Sequence, residues 1–334
     1  MNARISNHLL LLTATLGLAG CGSNSNGTTP AKSPVPSVYV LDSYNASVEV
    51  HRVEVFDVNG KYLSQFSHSF DIPHAIATDP QGNVYVKDGN LNCSVDKFDS
   101  KGNFLLQIGS CGAPLGGNGP GVFDNSGSVA TDASGNLWVT SPNFYSMQEF
   151  DSSGNFLRMV CMANIGVANC PMATAQQELP TDIALDAKGN VYVATDPFFS
   201  GAPNTILKFD GNGNYVTSIG SPGGQNGQFS SPKGIAFDAA GNMYVVDSGG
   251  GRVEKFDGQG NYLSQFGSVG NGPGQFANQP DAISIDGIGN IYVTDYWGYR
   301  VLVFDTNGSY LRQFGTNGTG DGQFSGVTGV AVSR

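Results

Sequence analysis

A segment of about fifty residues returns along most of this 334-residue chain, and a fixed period of that length restricts the fold more than any single motif does. Pro73-His74-Ala75-Ile76-Ala77-Thr78-Asp79, followed by Gly82-Asn83-Val84-Tyr85-Val86, recurs from Pro180 to Val193, Pro232 to Val245 and Pro280 to Val293, and more loosely from Ser126 to Val139. Successive Gly-Asn turns at Asn83, Asn136, Asn190, Asn242 and Asn290 lie 53, 54, 52 and 48 residues apart. Each copy runs on into Phe-Asp-x-x-Gly, with Asp99, Asp151, Asp210, Asp257 and Asp305, and a further such turn stands at Asp57.

Each period holds four short strand patterns, the content of one β-propeller blade. Asp-x-x-Gly sets a carboxylate that can accept turn amides ahead of a glycine that can take positive φ, which suits a tight antiparallel turn. Runs such as Val-Tyr-Val suit strands buried between neighbouring sheets. The first strand carries small residues at Ala77, Ala130, Ala184, Ala236 and Ser284, as a narrow inner radius requires. Residues 38–66 match strands two to four with no first strand before them, whereas Val327 to Val332 match a first strand with nothing after it. One blade is therefore split between the termini, which closes the ring and removes its edges. The expectation is an all-β, six-bladed propeller of four-stranded antiparallel blades over 37–334, with blades A (37–72 plus 326–334), B (73–125), C (126–179), D (180–231), E (232–279) and F (280–325).

Pro232 to Asp238, Arg252-Val253-Glu254-Lys255-Phe256-Asp257 and Gly274-Gln275-Phe276 resemble the NHL repeat family of six-bladed propellers. The resemblance covers 38–334, is strongest over 180–325, and is degraded in blade C, where Ser126 replaces proline and Cys161 to Leu179 is an insertion. It implies a propeller, but the family spans extracellular sensors and scaffolds, RNA-binding ubiquitin-ligase propellers and the lyase of peptide amidation, so it fixes the fold better than the job. Sixteen Lys and Arg against 27 Asp and Glu leave a net charge of −11, which opposes binding to a phosphate backbone. No nucleic-acid partner is expected.

The first residues read as an address. Arg4, the apolar run Leu9 to Ala19 and then Leu18-Ala19-Gly20-Cys21 have the form of a signal peptide (1–20) whose apolar core is too short to span a bilayer. The last four residues resemble the lipobox of bacterial lipoproteins, which implies lipidation at Cys21 and attachment to the membrane by that anchor alone. Residues 21–36 then form a polar, flexible tether. Gly22, rather than Asp, resembles an outer-membrane sorting signal in a Gram-negative cell. Export makes disulfides the default for Cys93, Cys111, Cys161 and Cys170. The pairs 93/111, bracketing one hairpin, and 161/170, bracketing the insertion, are expected; zinc held by all four is the alternative, although short Cys-x-x-Cys clips are missing.

In a propeller the starts of the first strands, the 2–3 loops and the 4–1 loops share one face. The residues at the strand-one starts are His74, Gly127, Thr181, Lys233, Asp281 and Thr328, a mixed polar ring around a channel mouth. The 2–3 loops supply Tyr44, Phe144, Tyr145, Phe198, Phe199, Tyr296, Trp297 and Tyr299. Aromatics on solvent-facing loops suit sugar faces or apolar peptide side chains, and half of them are expected to pack on neighbouring loops instead. Asp42/Arg52, Asp247/Arg252 and Asp295/Arg300 occur together or are absent together in most blades, which points to ion pairs bracing the 2–3 loop. A lyase site needs several inner-strand histidines, and His74 alone qualifies; a lactonase site needs a carboxylate and amide cage, for which Asp281 and Asp182 are the candidates. No nucleophile-elbow, dinucleotide, P-loop or zincin motif is present. The sequence therefore points to a monomeric binding or scaffolding module for an envelope protein, peptide or glycan, with no cofactor or metal, and with a metal-dependent lyase or lactonase as the alternative.

Overall fold

A computed structural model describes residues 36–43, 50–89, 92–112, 119–162, 179–196 and 204–333. These form six four-stranded antiparallel sheets arranged as a propeller. From the channel outward, blade B is Pro73–Thr78, Val84–Asp88, Val95–Phe98 and Phe104–Ile108, and blade E is Pro232–Phe237, Met243–Asp247, Arg252–Phe256 and Tyr262–Phe266. In blade C the inner strand is cut to Val129–Thr131, in line with the degraded repeat there. Blade D starts at Leu179–Leu185 and blade F at Pro280–Ile285.

The split blade is present as expected. Val327–Val332 pairs antiparallel with Ser37–Asp42, matching Val38 with Val332 and Val40 with Val330, and Ser333 and Ser37 bond to each other beyond the pair. Apolar residues fill the space between blades, as in the cluster of Val38, Val40, Phe56, Val301, Val303, Phe324, Val327 and Val330 that joins blades F and A. Phe229, Phe276 and Phe324, each from a Gly-Gln-Phe in a 4–1 loop, are fully buried. Their glycine partners leave no room for a side chain: at Gly267 (φ 80°) a Cβ would sit 2.4 Å from the Phe276 ring.

Polar contacts stitch the blades at three levels. On the face of the Asp-x-x-Gly turns, each Asp Oδ1 accepts two amides of its own turn, as Asp257 does from Gln259 and Asn261. Cations then reach across to the next blade's turn: Lys97 to Ser152 O, Arg158 to Gly211 O, Lys255 to Thr306 O and Arg312 to Val58 O. Several lie over an aromatic ring of their own blade, Lys255 over Tyr244 at 5.0 Å and Arg158 over Trp138 at 4.9 Å. Around the channel, Thr131 donates to Thr78 O, Thr78 to Val332 O, the Val332 amide to Ser284 Oγ, and Ser128 Oγ to Asp182. On the opposite face the expected ion pairs form, with Arg52, Arg252 and Arg300 Nε 3.2, 3.3 and 2.9 Å from Asp42, Asp247 and Asp295.

Those arginines do more than brace the 2–3 loop. Arg52 also donates to Thr319, Gly320 and Gln323 carbonyls, and Arg252 to those of Gly224, Gln225 and Gln228, so each clamps the preceding 4–1 loop. The aspartates hold the same loop from its other end, Asp42 accepting from Ser325 and Gly326 and Asp247 from Ser230 and Ser231. Asp88, which has no arginine, accepts the Asp71 and Ile72 amides instead. The 93/111 disulfide is formed, tying the 2–3 loop of blade B to the segment Ser110–Cys111, which pairs in parallel with Val122–Phe123. Cys161 is also disulfide-bonded, and its expected partner Cys170 lies outside the described residues, as does Cys21.

Candidate functional site

The inner strands do not pair in regular register at their first residues. Pro73 faces Asp88 and Ala75 faces Lys87, which leaves His74 as an extra residue. Thr181 is extra between Pro180 and Asp182, and Thr328 between Val327 and Gly329. In blades E and F two residues, Lys233-Gly234 and Asp281-Ala282, oppose one. A bulge turns side chains off the sheet normal and is enriched beside binding sites. Proline at the head of the strand contributes by lacking a ladder donor. Here the bulges aim His74, Thr181, Lys233, Asp281 and Thr328 into one central cavity of about 220 Å³. Blade C reaches the same end differently. Gly127, at φ 108° and with Thr140 O where a Cβ would be, brings Ser128 to the lining.

Asp182 is the best-held group of the mouth. Ser128 Oγ donates to its Oδ1 at 2.5 Å and the Ile235 amide to its Oδ2 at 2.7 Å, joining blades C, D and E through one carboxylate. Enclosure by protein raises its pKa to about 6 against those bonds, and the charge of Asp281 adds to the rise. Burial also raises Asp281, opposed by Lys233. His74 presents an exposed edge, yet desolvation of the rest of the ring, with the charge of Lys87, lowers its pKa, and the nearby Asn125 carbonyl acts in the opposite sense. Lys87 was not singled out by the sequence. It is fully buried, donates to the carbonyls of Asp88 and Asp124, and is lowered to about 8 by desolvation.

The aromatic loops divide between packing and exposure. Pro142–Phe144 and Tyr296–Gly298 each form one 3₁₀ turn, packed beside the inner strands of blades D and A respectively. Both turns end on a left-handed tyrosine, Tyr145 at φ 51° and Tyr299 at φ 53°, where blade E has Gly251 and blade B has Cys93. Tyr299 packs against the core joining blades F and A, and Phe144 lies over Gly112 in the disulfide-bonded segment. Trp297 stays 49% exposed, edge-on to Tyr296 with ring centroids 5.1 Å apart, its indole N–H directed at Gln279 Oε1 3.4 Å away. Val269, in the adjoining 4–1 loop, is exposed as well. Tyr44, Phe198 and Phe199 lie outside the described residues.

Among the described residues, no three His, Cys, Asp or Glu side chains come together in a way that could hold a metal ion. Asp182 and Asp281 have no third such side chain beside them among the described residues, so the two candidate carboxylates do not fit a lactonase-type metal cage.

Comparison with known proteins agrees with the repeat reading. Residues 171–319 match the family model described as SMP-30/Gluconolactonase/LRE-like region. NHL repeat-containing protein 3 of Mus musculus is 33% identical over 168 residues, which is 46% of this chain and 47% of that protein, so the match spans about half the length of the curated relative. Among solved structures, a chain of a nidogen/laminin complex superposes with a TM-score of 0.64 at 15% identity, covering 90% of this chain and 98% of that one. A protein of unknown function from Bacteroides caccae gives 0.60 at 14%, covering 90% and 99%. A catalytically inactive virginiamycin B lyase from Staphylococcus aureus with quinupristin gives 0.53 at 14%, covering 83% and 84%. At such identities these structures show the propeller fold alone.

Proposed function

We propose that this chain is a binding module of the bacterial cell envelope, held to the membrane through a lipidated Cys21, that receives a protein, peptide or glycan ligand on the face of the channel mouth. The bulges carry the reading. In five inner strands the register is broken at the residue that lines the mouth, which aims polar side chains into a shared cavity at a place where a plain sheet would only need to pair. The exposed Trp297 beside that mouth supplies the kind of anchor that dominates binding energies.

The test uses the fact that the chain has two tryptophans, of which Trp138 is buried. Envelope components retained by the purified protein are identified and their affinity is then measured for the Trp297→Ala variant. Binding should weaken at least tenfold, and about thirtyfold for a ~2 kcal/mol hot spot, with little change in melting temperature. Unchanged affinity together with lower stability would make Trp297 a packing residue and remove this face from the reading.

A metal-dependent lactonase or lyase is the second reading, favoured by the family-model match over 171–319, which spans Asp182, Lys233 and Asp281. The misfit of those residues to a metal cage weighs against it.

A further inference from the structure

The mouth of the channel can be sorted into hydrogens offered and lone pairs offered. Each Ser or Thr hydroxyl has one hydrogen to donate. Ser128 spends its hydrogen on Asp182, Thr181 directs its own to the carbonyls of Ala194 and Pro232, and Thr328 directs its own to Leu41 O. Three backbone amides of the lining are also taken, that of Ser128 by Thr140 Oγ1, that of Ile235 by Asp182 and that of Ala282 by Thr294 Oγ1. What these groups turn toward the cavity is lone pairs.

The charges point the same way. With both carboxylates ionised, Asp182 and Asp281 set two negative charges against the one positive charge of Lys233, inside a chain of net charge −11. An acidic, acceptor-lined concavity draws cations in and satisfies donors once they arrive. A cavity of about 220 Å³ admits the end of a ligand but not its bulk, since a single water already takes ~30 Å³. Tyr296 and Trp297 stand outside that lining, in the turn beside the inner strand of blade A.

We infer that the ligand enters the channel mouth with a primary ammonium group, placed between the carboxylates of Asp281 and Asp182 against the hydroxyl oxygens of Thr181 and Thr328. This rests on the binding reading above and gives it a chemistry. A sugar hydroxyl or a carboxamide would find acceptors here too, but no opposite charge; a carboxylate or phosphate would meet repulsion.

Two hexapeptides blocked at both ends, identical except for one lysine or one Nε-acetyllysine, separate these cases by calorimetric titration against the full-length protein. The lysine peptide should bind at least tenfold more tightly. Asp281→Asn, an isosteric change at a partly exposed side chain, should abolish that preference while leaving the melting temperature in place. Equal affinity for the two peptides, a preference that survives in Asp281→Asn, or no binding of either would overturn the ammonium assignment. If the two peptides bind equally and both weaken in Trp297→Ala, the face still binds and only its chemistry has been misassigned.

Discussion

Ring closure is the feature on which the whole molecule depends, and deleting residues 327–334 tests it. The lost strand carries Val327, Val330 and Val332, each at most 4% exposed, and its removal strips the inner edge of Ser37–Asp42. Full burial of a valine contributes roughly 1.5–3 kcal/mol, so three amount to ~5–9 kcal/mol before the ladder bonds are considered. Thr78 and Ser284 lose their Val332 partners in addition, which opens the inner ring of stitches on both sides. The sum is of the order of a domain's entire stability, ~5–15 kcal/mol, so the truncated chain should fail to fold as a unit rather than fray at one blade. Because such a variant can be insoluble, Val330→Ala and Val327→Ala give the graded measurement. Each should cost about 2 kcal/mol through lost burial and the cavity left behind, and should lower a single cooperative melting transition by several degrees. Calorimetry and near-ultraviolet circular dichroism read both outcomes. A truncated protein with the full-length melting temperature, or a two-step melt in which blade A alone is lost, would refute the argument that the termini lock the ring.

Three further outcomes concern the buried glutamates and the anchor cysteine. Burial raises Glu54 and Glu254 to about 7 against the pull of Arg52 and Arg252, so the folded state holds these protons more tightly than the unfolded chain does. That contribution is full below pH ~4.5 and is lost as pH rises through 7, with an upper bound of about 3 kcal/mol per group. The exposed turn carboxylates such as Asp99 are lowered by their Asn side chains and act in the opposite sense below pH ~4, so thermal stability should peak in mildly acidic buffer. Glu54→Gln should flatten the fall between pH 5 and 8, and a variant that instead melts lower at pH 8 would show that the Arg52 pair outweighs burial. Cys21→Ala should leave the melting temperature unchanged and abolish incorporation of labelled palmitate; a variant that still takes up label would end the lipoprotein reading.

Much of the fold was legible because its determinants are local and repeated. Phe-Asp-x-x-Gly fixes a turn through bonds within five residues, as at Asp257, and six copies set the blade number without reference to anything distant. The 93/111 bridge was legible for a related reason, since both cysteines flank strands of one hairpin. Pairing of Asp42 with Arg52 could be read from joint presence across blades, but its reach to Thr319, Gly320 and Gln323 could not. Those contacts join residues more than 260 positions apart and exist only once the ring has closed. Glu54 and Glu254 were not singled out in the sequence, because their burial is known only with the packing.

The site divides along the same line. The ring of His74, Thr181, Lys233, Asp281 and Thr328 could be found by aligning repeats, because a bulge preserves the position of a residue in the sequence while changing where it points. What the alignment could not give was hydrogen-bond direction. Ser128, Thr181 and Thr328 are equally able to donate or accept as residue types, and only their neighbours decide which remains for a ligand. Those neighbours come from other strands and mostly from other blades: Asp182 for Ser128, Pro232 for Thr181, Leu41 for Thr328. The same holds for the aromatics, where Tyr299 and Trp297 differ by two positions and yet one packs against the F–A core while the other stays open to solvent. Location is thus written in the repeat, whereas polarity is written between the blades. Exchanging one inter-blade partner would therefore reverse a hydroxyl at the mouth of this protein without moving it.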